Sequence, residues 1–153
     1  MHALSIYHRD IKLDNLIYDP DTQTVKIIDF GFAVTSSEKL RVPCGTPAYM
    51  APELTLRMDY KGEKTDMWAA GVVMYALLTG KLPFVSNGEG CLFRKIQAGL
   101  YPIPKGTNGL MVSIQARDLL KTLLAVDPSA RLSAEKALLH PWVTRNKSMS
   151  FAA

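Results

Sequence analysis

The chain has 153 residues, 48% of them hydrophobic and 21% charged, enough apolar content for one domain-sized core and too much for a disordered polymer. Its 18 Lys and Arg against 14 Asp and Glu give a net charge of +4. That excess is spread along the sequence with no run of four basic residues, so neither a nucleic-acid nor a membrane-surface partner is expected. In chain order, residues 1–7 read as the frayed end of something longer. Residues 16–18 and 25–28 are short β-rich runs around the turn-forming stretch 19–23, which predicts a β-hairpin. Residues 31–52 lack periodicity and read as a long functional loop. Thr65 is placed to cap a helix over 66–79 that is apolar on all sides and stopped by Gly80. Its apolar run, 67–78, is too short to span a bilayer. A short helix over 91–98 should end at Gly99. Ser113 should cap a helix to about residue 126 with a stripe of Leu119, Leu120, Leu123 and Leu124. Ser133 should cap a last helix through His140, stopped by Pro141, and residues 146–153 read as a loose tail.

The chemistry concentrates in two short segments. His8-Arg9-Asp10-Ile11-Lys12-Leu13-Asp14-Asn15 brings together an Asp that can take a proton, a Lys and an Asn. Asp29-Phe30-Gly31 adds a second Asp across the expected hairpin. Asn15 and Asp29 are oxygen donors of the kind a hard cation prefers. Cys44 and Cys91 form neither a metal spacing nor a disulfide framework, which suits a reducing compartment. The first residues lack the basic-then-apolar order of a signal peptide, so the cytoplasm is the expected location, with the nucleus also open.

The first segment resembles the H-R-D-[LI]-K-x-x-N catalytic loop of protein kinases, and the second resembles their D-F-G motif. Ala51-Pro52-Glu53 follows at the matching downstream position. Lys12 together with Gly45-Thr46-Pro47 is similar to the serine/threonine kinases rather than the tyrosine kinases. The runs 71–84 and 92–99 look like the calmodulin-dependent and AMP-activated kinase group. The resemblance implies a mainly α, kinase-like C-terminal lobe with a small β-hairpin carrying the catalytic loop. It implies a partial kinase domain over residues 1–145, followed by a flexible tail over 146–153.

The family template implies the roles. Asp10 would orient the acceptor hydroxyl and receive its proton, and Lys12 would offset the charge of the transferred phosphate. Asn15 and Asp29 would hold Mg2+, and Ile17 joins them among the residues that bind the cofactor ATP. Thr46 would hydrogen-bond around Asp10 and Lys12. Asp14, Gly45, Thr46 and Pro47 would dock the protein substrate at its Ser or Thr. His8, Arg9, Phe30 and Gly31 frame the site; Asp66 would brace the catalytic-loop backbone, and Glu53 would pair with a buried Arg131. Val42 stands where many members carry a Thr whose phosphate would meet Arg9, so that switch is expected to be absent.

The sequence contains no G-x-G-x-x-G loop and no V-A-I-K segment, so the β-rich N-terminal lobe is expected to be missing. Part of the apolar surface of 67–78 should then lie open, for the missing lobe or a partner to cover. Two functions follow from the resemblance. One is a serine/threonine kinase lobe that works when completed; the other is a non-catalytic lobe that binds substrates or partners.

Overall fold

A computed structural model of the chain describes residues 1–106 and 111–149, without the side chains of 146–149. Residues 2–4 make a 3-10 turn closed by Ser5 in the left-handed region (φ 53°), and β1 (Ile6–Tyr7) follows. A second 3-10 turn over Leu13–Asn15 leads into the hairpin of β2 (Leu16–Asp19) and β3 (Thr24–Ile27). Leu16 lies opposite Ile27 and Asp19 opposite Thr24. The Asp19 side chain accepts from the amides of Asp21 and Thr22, so the turn stretch supplies its own closure. Beyond the hairpin, β4 (Val34–Thr35) pairs antiparallel with β1.

That pairing corrects two expectations. Residues 1–7 are not frayed: their backbone is held by β4, and the His2 ring reaches Asp66 at 2.9 Å. The segment 31–52 is mostly irregular, yet it contains β4, a 3-10 turn over Pro47–Tyr49 and a backbone bridge from Leu40 to Tyr60.

The helices are α1 (Pro52–Thr55), α2 (Gly62–Thr79), α3 (Glu89–Ala98), α4 (Ile114–Leu123), α5 (Ala134–Leu138) and α6 (Pro141–Met149). Gly80 and Gly99 take left-handed φ values of 71° and 61° and end α2 and α3 as read from the sequence. Ser113 accepts from the Ala116 amide and Ser133 from the Lys136 amide, so both predicted caps form. Thr65 does not cap. The helix starts at Gly62, and the Thr65 hydroxyl donates to the Gly62 carbonyl inside the first turn. The α4 helix stops at Leu123, short of 126, because Leu124 already leaves helical geometry. Pro141 opens a helix instead of stopping one, since the first helical position needs no amide donor. Residues 146–149 of the expected tail are therefore helical; residues 150–153 lie outside the described part.

The α2 helix is the axis of the core. Trp68 stacks on Phe84 with centroids 5.6 Å apart, and Val72 and Tyr75 pack with Ile96, Ala116, Leu120 and Leu124. At Gly71 a Cβ would come within 2.9 Å of Leu123, so the bare backbone lets α4 approach closely. The helix is not covered all round. Leu77 is 69% exposed. A groove of about 940 Å³ runs along Met67, Ala70 and Val73 on one side and Leu16, Ile27 and Leu138 on the other. Among the described residues no helix is long and apolar enough to cross a membrane.

Candidate active site

Asp66, buried in the second turn of α2, is the anchor of the site. Its Oδ2 accepts from the His8 amide at 2.9 Å and its Oδ1 from the Arg9 amide at 2.8 Å. The His2 ring adds a third bond to Oδ2. Arg9 sits at φ 66°, a conformation that costs a non-glycine residue energy and persists where its surroundings fix it. Here Asp66 fixes the amide and the Arg9 side chain donates to the Phe32 carbonyl. The His8 ring bonds the Ile28 carbonyl and meets Phe30 edge-on at 5.0 Å. The loop is thus tied to α2 through its backbone and, through the His8 ring, to Ile28 just past β3.

Around this frame the structure brings Asp10, Lys12, Asn15 and Thr46 together. Lys12 Nζ donates to Asp10 Oδ2 at 2.7 Å and to Thr46 Oγ1 at 3.0 Å. The Thr46 amide and hydroxyl both donate to Asp10 Oδ1, at 2.9 and 2.8 Å. Asn15 Nδ2 donates to the Asp10 carbonyl at 2.9 Å and lies 3.3 Å from Oδ2. Burial pushes the Asp10 carboxyl up, but the bonds from Lys12 and Thr46 together outweigh it and hold the group below its ordinary range. The bond to Asp10, with the charges of Asp14 and Asp29 behind it, holds the Lys12 ammonium above its ordinary value. Asp10 is therefore an ionised, oriented acceptor, and Lys12 a fixed positive charge beside it.

Asn15 and Asp29 flank one end of the hairpin. The Ile28 amide donates to the Asn15 carbonyl at 2.9 Å, and Asp29 turns out of the strand at φ 60°. Asp29 is exposed, with its Oδ1 accepting from the Gly31 amide at 3.2 Å. Because Asp10 occupies the Asn15 amide nitrogen, the Asn15 side-chain oxygen remains for a cation. Among the described residues no three His, Cys, Asp or Glu cluster for a metal. One exposed carboxylate and one buried amide oxygen fit Mg2+, which binds through one or two protein groups and completes its shell with phosphate and water oxygens. Ile17 lies on the outer face of the same hairpin, 51% exposed.

The loop that delivers Thr46 passes close to the catalytic loop. Gly45 has φ 104°, and a Cβ there would lie 2.5 Å from the Arg9 carbonyl, so only glycine fits. Pro47 opens the short 3-10 turn behind it. Asp14 is exposed and lies within electrostatic reach of Lys12 and Tyr49. Farther in, Glu53 and Arg131 form a two-pronged pair at 2.8 and 3.1 Å. Arg131 also donates to the Lys64 and Ala125 carbonyls and lies 5.0 Å over the Trp68 ring. This buried pair joins α1 to the segment between α4 and α5.

Four contributors escape a reading of the sequence. They are His2 on Asp66, Lys64 on the Arg131 carbonyl, Tyr60 under the loop, and Gly62, where a Cβ would lie 2.4 Å from the Tyr7 ring. Gly62 alone left a trace, as a lone glycine ahead of an apolar helix.

A mainly helical lobe in which a held carboxylate and a lysine stand just ahead of a hairpin, with the oxygens of Asn15 and Asp29 at its end, has the build of a phosphotransferase lobe. The protein kinase domain model matches residues 1–143, and the chain belongs to that family. Relatives named as serine/threonine kinases match most of its length. Serine/threonine-protein kinase H1 of Homo sapiens is 42% identical over 149 residues, covering 94% of this chain and 35% of that protein. Probable serine/threonine-protein kinase MARK-A of Dictyostelium discoideum is 39% identical over 150 residues, covering 97% of this chain and 14% of that protein. Probable serine/threonine-protein kinase HSL1 of Saccharomyces cerevisiae is 37% identical over 146 residues, covering 94% of this chain and 9% of that protein. The chain thus spans between 9% and 35% of the length of these three relatives.

Proposed function

We propose that this chain is the C-terminal lobe of a serine/threonine protein kinase that, completed by an N-terminal lobe, phosphorylates Ser or Thr of protein substrates. The observation that carries the reading is the closed set of bonds among Asp10, Lys12 and Thr46. Phosphoryl transfer needs positioning and charge neutralisation more than covalent help, and this set supplies both. Bound Mg-ATP supplies the γ-phosphoryl group and the metal that offsets its charge. Asp10 orients the acceptor hydroxyl and takes its proton. Lys12 stands beside the transferred group, and Thr46 keeps both side chains in register. Asn15 and Asp29 would hold the cation, and Ile17 would meet the nucleotide. Asp14, Gly45 and Pro47 line the approach of the substrate segment.

The native polypeptide carrying this segment should transfer the γ-phosphate to a Ser/Thr peptide mixture, and Asp10→Asn should lower the rate at least about a hundredfold. The pure 153-residue chain should turn over negligibly, because its sequence has no glycine-rich loop or V-A-I-K lysine to hold the phosphates. Ordinary turnover by that pure chain, or full activity of Asp10→Asn, would overturn the reading.

A second reading, a non-catalytic lobe that binds substrates or partners, is favoured by the open apolar groove along α2. A cellular effect of the chain that survives Asp10→Asn would put this reading first.

A further inference from the structure

Thr46 reaches Asp10 only if the loop before it is held in place. Three contacts tie that loop to the stretch ahead of α2. Leu40 and Tyr60 exchange two backbone hydrogen bonds, at 2.8 and 2.9 Å. Arg41 and Asp59 form an ion pair at 3.6 Å, but both side chains are exposed and such pairs contribute little. The third contact comes from the Tyr60 side chain, which is 3% exposed and points inward. Its hydroxyl donates to the Val42 carbonyl at 2.8 Å and stands 3.5 Å from Arg9 Nη1. Arg9 in turn holds the Phe32 carbonyl at 2.6 Å, and Gly45 rests against the Arg9 backbone. The Val42 side chain points to solvent, so its carbonyl is the group that anchors this part of the loop.

We propose that Tyr60 is a positioning residue: its hydroxyl, between Arg9 and the Val42 carbonyl, sets residues 40–46 so that Thr46 lands on Asp10 without any added charge on the loop. The consequence for catalysis rests on the phosphotransfer reading; the consequence for the loop does not. The ring packing of Tyr60 is retained in Tyr60→Phe, and only the relay atom is lost.

The test is amide hydrogen exchange on the full 153-residue chain. In Tyr60→Phe the Thr46 amide should exchange about tenfold faster, the scale of one hydrogen bond. The amides of α2 should hold within about twofold. Unchanged exchange at Thr46 or an equal loss of protection throughout α2 would overturn the assignment. The second of these would make Tyr60 merely structural. This readout needs no turnover. A chain with Tyr60-dependent Thr46 protection but no Asp10-dependent phosphotransfer would sink the kinase reading and leave the relay standing.

Discussion

The catalytic-loop side and the hairpin side of the molecule meet at Asn15 and Leu16, yet they are held by different forces. On the first side nearly every polar group has a fixed partner: Asp66 takes three donors, Asp10 takes Lys12 and Thr46, and Arg131 is bonded to Glu53 and to backbone carbonyls. On the second side β3 is exposed along its whole length, and Ile17, Tyr18 and Val25 face solvent. The two networks also differ in span. Asp66 and Arg131 bridge residues more than fifty positions apart, whereas the hairpin is closed by neighbours. The polar side is therefore a frame closed by long-range bonds, and the hairpin is a surface whose stabilisation is local.

The sharpest way to break that comparison is at Arg131. Arg131→Met strands the Glu53 carboxylate in the core and leaves the Lys64 and Ala125 carbonyls without their donor. The expected loss is about 3–5 kcal/mol in urea unfolding, a large share of what a domain of this size has. The double variant Glu53→Met with Arg131→Met should recover much of it, because no unpaired charge remains buried. A single variant as stable as the parent would show that the frame does not depend on this pair.

A smaller effect separates the two sides by pH. The Asp10 carboxyl is held below its ordinary value by Lys12 and Thr46 against the upward push of burial. Its ionised form therefore favours folding. That contribution is fully present above about pH 3.9 and is lost as pH falls through the lower value of the folded chain. Asp19 and Asp127 are also held low, by the hydroxyls and amides of Thr22 and Ser129, but they titrate alike in parent and variant. The stability gap between the parent and Asp10→Asn should thus be widest at neutral pH and narrow below pH 4. A gap unchanged between pH 6 and 2.5 would mean that the four donors around Asp10 do not hold its charge.

How much of this was legible in the sequence follows from the same contrast. Asp10, Lys12 and Asn15 fall within six positions, so one contiguous motif places them, and Asp29 follows two residues past the adjoining strand. Tyr60 and His2 were not legible, because each acts on a group far along the chain and has no local pattern of its own. The α2 start was misplaced for a local reason: Thr65 looks like a cap, while Lys61-Gly62-Glu63-Lys64 carries neither a capping side chain nor an apolar period. At Pro141 the same residue can stop one helix or open the next, and the choice lies with the packing of Trp142 and Val143 on the core.

The least disruptive test applies one substitution to both regions. Val→Thr keeps the branched shape and adds a hydroxyl. At Val72, fully buried in the core, that hydroxyl can reach only a carbonyl one helical turn back, as Thr79 does at Tyr75, and burying it in an apolar cluster should still lose about 1 kcal/mol or more. At Val25, 59% exposed opposite Tyr18, water satisfies the hydroxyl and the strand preference is kept. The change there should stay within about 0.5 kcal/mol. A larger loss at Val25 would mean that the hairpin is covered in solution, and its dependence on protein concentration would say by what. A loss that grows with concentration points to a second copy seated on the hairpin, and one independent of concentration to a contact within the chain. Either result would make the open side a second packed region, with burial rather than hydrogen bonding as its source of stability.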